Sequence, residues 1–139
     1  MKTEITVTGI TPDELFEKLK KFPTSGIEDE LAKISAEWFK TSFPESRQDN
    51  GGRKTDASRK GWAPRKKEYL YPALNKTGNL KKSVVSVKNE VKTDVYYASF
   101  HNDGTEKLPQ RQFIGNSKEL DRKCIDVITD RLTKYLNGL

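Results

Sequence analysis

The sequence predicts an α+β domain with N-terminal helices, a small antiparallel sheet with a hairpin, and a C-terminal helix packed on that sheet. Three observations predict it. Two segments near the N-terminus pair a helix-start signal with apolar residues at helical spacing. Residues 83–97 are rich in valine and broken by Lys88-Asn89-Glu90, the pattern of two strands and a turn. From about Lys118 onward, one apolar stripe runs to the end of the chain.

Taken in order, Lys2–Thr8 alternates Ile5 and Val7 with polar residues and is expected as a short edge strand ended by Gly9. Thr11-Pro12-Asp13-Glu14 offers a cap, a proline suited to the first helical position and the glutamate of a capping box. The helix it starts keeps Leu15, Phe16 and Leu19 on one side and stops by Pro23. Ser25-Gly26-Ile27-Glu28 repeats the capping-box pattern, and Ile27, Leu31, Ile34 and Trp38 continue it to about Thr41, before Pro44.

From Glu45 to about Arg65 periodicity disappears. SRQDNGGRKTDASRK has no apolar residue beyond Ala57 and a Gly-Gly pair, so a mobile basic loop at about 45–65 is expected, whose residues 48–60 could be truncated with the fold spared and contact with a partner impaired. Ser83–Val87 and Val91–Tyr97 form the hairpin, Tyr97-Ala98-Ser99-Phe100 suits one helical turn, and Gln112–Ile114 suits a further short strand. The closing helix carries Leu120, Cys124, Val127, Ile128, Leu132, Tyr135 and Leu136 on one face, with Gly138 past its end. A single domain, 1–139, accounts for the whole length.

Composition narrows the function. Apolar and charged residues each make up 33%, and no apolar run reaches the roughly 20 residues of a membrane span. MKTEITVTGI has no apolar signal-peptide region, and one cysteine cannot form an internal disulfide, so synthesis in a reducing cytoplasm is expected. The net charge of +6 is uneven: residues 1–50 balance at −3, residues 51–92 at +9 and the remainder at zero. Arg53, Lys54, Arg59, Lys60, Arg65, Lys66 and Lys67 form the densest basic block, opposed only by Asp56, with Trp62, Tyr69 and Tyr71 nearby. Such interleaving suits contact with single-stranded nucleic acid, and equally a flexible arm whose tryptophan anchors in a neighbouring subunit.

Chemistry finds little to work with. His101 is the only histidine, and Cys124 sits on the apolar stripe of the last helix as a small hydrophobe. No serine lies in a G-x-S-x-G elbow, one His and one Cys do not make a zinc site, and no phosphate-cradling glycine loop is present. Glu28, Asp29 and Glu30 are expected on a solvated helix face. Neither enzyme activity nor a cofactor is expected. His101-Asn102-Asp103-Gly104 is a turn-forming set, in which a neutral His101 is expected to donate to a backbone carbonyl; a partner contact is the next alternative, chemistry the last.

Four short motifs stand in order. Gly61-Trp62-Ala63-Pro64 is similar to G-W-x-P. Leu74–Ser83, with Thr77, Gly78, Leu80 and Ser83, resembles L-x-x-T-G-x-L-x-x-S. Tyr97-Ala98-Ser99-Phe100-His101-Asn102-Asp103-Gly104 resembles Y-A-x-x-H-x-x-G. Pro109-Gln110-Arg111-Gln112-Phe113-Ile114-Gly115 resembles P-x-R-x-F-[IL]-G. In this order the chain resembles the phage virion morphogenesis proteins, also described as tail completion or Mu-like minor tail proteins. Gln112 departs from a usual proline and Arg65 from a usual leucine.

The resemblance implies a non-enzymatic structural protein of a phage or prophage, acting in tail completion or head–tail joining. It would be found in the virion, and in the host cytoplasm during assembly. Its implied partners are other virion proteins, the tail tube or the head–tail connector, met as a homo-oligomeric ring. The charge pattern adds non-specific DNA contact, and a basic nucleic-acid-binding module is the alternative reading. From the residues themselves, Gly78, Gly104 and Gly115 are expected at tight backbone positions, Phe113 in the core, and Arg111 ordering the loop that Pro109 ends.

Overall fold

The computed structural model describes residues 11–138, so the strand expected at Lys2–Thr8 lies outside the described residues. Helix α1, Pro12–Lys20, starts on the capping box read from sequence: Thr11 accepts from the Glu14 backbone N–H, and the Glu14 carboxylate accepts from that of Thr11. Its apolar side is not a core face, because Phe16 is 63% exposed. What ties this region to the rest is an edge contact between Phe22 and Tyr135, with the Tyr135 hydroxyl donating to the Lys18 carbonyl.

Helix α2, Ile27–Lys40, begins differently from its expected capping box. Gly26 is the N-cap with φ 83°, and no side chain caps the helix. A turn in which the Ile27 N–H bonds the Thr24 carbonyl leads in, and glycine takes its left-handed angle at no steric cost. Ile27, Ala32, Ala36 and Phe39 are buried, with Ile34 and Trp38 packed at the edge. The two alanines let the backbone approach its neighbours, and α2 packs on both strands of the hairpin as well as on the last helix.

Strands β1, Val85–Val87, and β2, Glu90–Lys92, form the expected antiparallel hairpin in the register Val85 to Lys92 and Val87 to Glu90. Lys88 opens the two-residue loop with a positive φ of 56°. The strands are shorter than the sequence suggested, and Ser86 and Val91, not Val85 and Val87, face inward. Ahead of β1, helix α3, Asn79–Ser83, buries Leu80. After β2, helix α4, Ala98–Asp103, follows as the Tyr97–Phe100 spacing required. Helix α5, Lys118–Asn137, is capped by the Ser117 hydroxyl accepting from the Leu120 N–H. The molecule is α+β as expected, with one refinement: the principal neighbour of α5 among the helices and strands is α2, which also packs on the hairpin. No helix among the described residues is long and apolar enough to cross a membrane.

Residues 45–65 correct the expectation of an unpacked, mobile loop. Gly51, Gly52, Thr55 and Ser58 are buried, and Asp56–Ser58 forms a 3-10 turn capped by Thr55. The segment is stitched back by bonds from Gly52 N to Ser42 O and from Trp62 N to Gly51 O, and its Asp56 N reaches Asn116 O. Two glycines are needed because Trp62 lies against them. A Cβ on Gly51 would stand 2.6 Å from the Ser42 carbonyl oxygen and 2.9 Å from the indole, at a φ of 82°. Gly51→Ala should therefore cost roughly 2–4 kcal/mol in urea unfolding, combining left-handed strain with overpacking. A cost under about 0.5 kcal/mol would mean the glycine pair is not a packing requirement. Deleting 48–60, expected from the sequence to spare the fold, removes the cover from this tryptophan.

Candidate functional site

All four motifs reach one buried centre, and three of them are joined there by hydrogen bonds. Trp62 is 3% exposed, sits edge-on to Phe43 at 5.6 Å, and donates through Nε1 to the Gln112 carbonyl at 2.9 Å. Arg111, 8% exposed, returns the connection by donating through Nε and Nη2 to the Ala63 carbonyl, at 3.3 and 3.0 Å. The chain around Trp62 and the chain around Arg111 are thus joined twice, once from each side. Phe113 is 1% exposed and packs on Phe43 with ring centroids 5.1 Å apart. Pro64 and Pro109 are exposed and frame the two segments.

The third motif joins through a residue not singled out from the sequence. Asn102 accepts at Oδ1 from the backbone N–H groups of Phe113 and Ile114, both at 2.9 Å, and donates through Nδ2 to the Ile114 carbonyl. This side chain does what a neighbouring strand would do, and it explains why Gln112–Ile114, expected as a strand, pairs with none. Ala98 is the buried residue of α4, and Gly104 ends that helix at φ 79°, where a Cβ would lie 3.0 Å from the Gln110 amide nitrogen. Thr105 then closes the polar loop, accepting from the N–H groups of Lys107 and Leu108.

The Thr77–Ser83 motif builds α3. Gly78 is its N-cap at φ 78°, the Thr77 hydroxyl accepts from the Asn79 N–H, and Leu80 enters the core. The Ser83 hydroxyl donates to the Leu80 carbonyl and lies 2.6 Å from the Thr93 hydroxyl, fastening α3 to the chain after β2. Gly115 has an ordinary φ; what an added Cβ would meet there is the Gln112 side chain.

The imidazole of His101 does not tie the turn as expected. Nδ1 is buried with no hydrogen-bond partner, and the connection is made instead by the His101 carbonyl, which accepts from the Arg111 N–H at 2.8 Å. Tyr97 stands edge-on to the ring at 6.1 Å. Burial, with the nearby Arg111 guanidinium adding to it, lowers the histidine pKa below its ordinary value of 6.5. The unfolded chain therefore binds the proton more readily than the folded one. Stability from this group is complete above the unfolded pKa and is lost as pH falls from about 6.5 toward the depressed folded value. His101→Gln should flatten that part of the stability curve, and the single imidazole signal in an NMR titration should give a midpoint below 6.5. A midpoint at or above 6.5 would contradict the burial argument.

The basic block does not act as one unit. Arg53 pairs with Asp49 and Arg59 with Asp56, and Lys54 lies 4.5 Å from the Trp38 ring centre. Lys60, Lys66 and Lys67 are exposed. Arg65 is half-buried with its guanidinium 4.7 Å from the Tyr69 ring centre and 5.6 Å from that of Tyr71. Trp62, expected on an arm or stacked on a base, is committed to the chain's own core and is withdrawn from either role. Cys124 is half-buried near Ser35, and burial raises its thiol pKa, which suits an inert side chain. Among the described residues no cluster of three His, Cys, Asp or Glu side chains is placed to hold a metal.

Compared with family models, with curated proteins and with solved structures, the chain matches none.

Proposed function

We propose that this chain is a non-enzymatic structural protein of a phage or prophage virion, acting in tail completion or head–tail joining. Its place is the virion, reached from the host cytoplasm during assembly, and it works there as a homo-oligomeric ring against the tail tube or the head–tail connector. The supporting observation is how the motif residues are spent. Trp62 and Arg111 each bond to the other's backbone segment, so the residues that carry the resemblance are used to lock a shape. A shape held so firmly suits a part whose work is to be contacted. Leu70 and Tyr96, 89% and 84% exposed, offer apolar surface to a partner. Because residues 48–60 are folded, the joint presents a preformed surface and does not depend on a loop that orders on docking.

Electron microscopy of particles induced from a strain lacking the protein tests this reading. Filled heads beside unjoined or misterminated tails are expected, and normal infectious particles would overturn it. The alternative, a basic nucleic-acid-binding module, is favoured by Arg65, Lys66 and Lys67 lying beside Tyr69 and Tyr71. It requires DNA affinity that falls steeply with salt, as several neutralised phosphates dictate.

A further inference from the structure

We propose that the cavity between the Tyr69–Tyr71 segment, α3 and α4 is a binding pocket for a carboxylate carried by a partner protein, on a chain terminus or an acidic side chain. The cavity measures about 340 Å³, and its polar lining includes Arg65, Lys76, His101 and Arg111. No acidic residue lines it. Outside the cavity Arg53 is matched by Asp49, Arg59 by Asp56 and Arg131 by Glu30, while Arg47 and Arg122 have no ion pair among the described residues. No such ion pair reaches Arg65, Lys76 or Arg111 among the described residues.

These cations are positioned. Arg65 lies against Tyr69 and Tyr71, Lys76 stands 5.1 Å from the Tyr71 ring centre, and Arg111 is anchored on the Ala63 carbonyl. Two of the buried polar atoms left without a partner, Arg65 Nη1 and His101 Nδ1, belong to residues lining this one cavity. The charges also act on one another: Arg65 disfavours the charged form of Arg111, and Arg111 that of His101. A single anion offsets the repulsion between Arg65 and Arg111, favours protonation of His101 and, with rotation of the Arg65 and His101 side chains, meets both orphaned atoms. A carboxylate fits best. Guanidinium groups match its plane, while Leu74, Leu80 and the tyrosine rings would strip water from the guest, which a dianionic phosphate resists more strongly. The inference does not depend on the assembly role, since the pocket is defined by the chain's own charges.

His101 is the only histidine, so its imidazole signal reports on the pocket without ambiguity. The full chain is titrated with N-acetyl-leucine, which carries a terminal carboxylate, and with N-acetyl-aspartate α-amide, which carries a side-chain one. N-acetyl-leucine amide and inorganic phosphate complete the series. A saturable imidazole shift with at least one carboxylate, absent with the neutral amide and weaker with phosphate, is the expected result, and the stronger carboxylate identifies the source. Arg65→Gln and, separately, Lys76→Gln should each weaken that binding by about tenfold while the tryptophan fluorescence of the folded chain, from Trp38 and Trp62 together, is retained. Four results would each overturn the proposal: no saturable shift with either carboxylate, an equal response to the neutral amide, tighter binding of phosphate, or undiminished binding in both folded variants.

Discussion

Trp62→Ala should lower unfolding stability by roughly 3–5 kcal/mol, the range for removing a buried aromatic ring. The indole is 3% exposed, and three separate features depend on it. Gly51 and Gly52 adopt left-handed angles and press on its face, so removing the ring opens a void that a strained backbone cannot easily fill. Phe43 loses its edge contact. The Gln112 carbonyl loses its donor, leaving the Arg111 contact as the remaining tie between the two segments. Trp62→Phe is the informative companion: it keeps most of the ring but not the N–H, and should cost about 1–2 kcal/mol. Urea unfolding of the three proteins gives the numbers. If Trp62→Ala folded with nearly wild-type stability yet failed to meet a partner, the residue would be a contact after all, as its basic surroundings suggested.

That example shows which features were legible in the sequence. Thr11–Glu14 and its helix were, since capping is a bond between residues three apart. So were the hairpin loop and α5, where the signal is local or repeats along one element. The Gly51-Gly52 pair carried the opposite message. In a polar stretch it signals freedom, whereas here it is the shape that lets backbone lie on an indole eleven residues from Gly51. Nothing in the local pattern distinguishes a glycine that is free from one that is pressed. The apolar side of α1 misleads in the other direction, because a stripe of Leu15, Phe16 and Leu19 predicts burial without saying against what, and Phe16 remains exposed. At the cavity, Arg65 was counted with its basic neighbours; only the fold separates it from Arg53 and Arg59, which have carboxylate partners.

Asn102→Ala should cost about 2–4 kcal/mol, well beyond a turn residue's share, because three backbone groups lose their partner together. In the sequence Asn102 looks like one of several turn formers before Gly104, and a turn former is replaceable. Its amide instead spans to Phe113 and Ile114, and those N–H groups have no strand to return to. The loss should also be local in a way that distinguishes it from Trp62→Ala. Amide exchange at Phe113 and Ile114 should accelerate more than at the buried helix α2, since the segment can detach before the whole molecule unfolds. Asn102→Asp retains the acceptor and loses the donor, so it should restore protection at the two amides while leaving the Ile114 carbonyl unmet. Unchanged exchange at Phe113 and Ile114 in Asn102→Ala would remove Asn102 from this role. Because Arg111 lies just before that segment and bonds the His101 carbonyl, detachment should also disturb the cationic cavity, and carboxylate binding should weaken once the detached form becomes a sizeable fraction of the population.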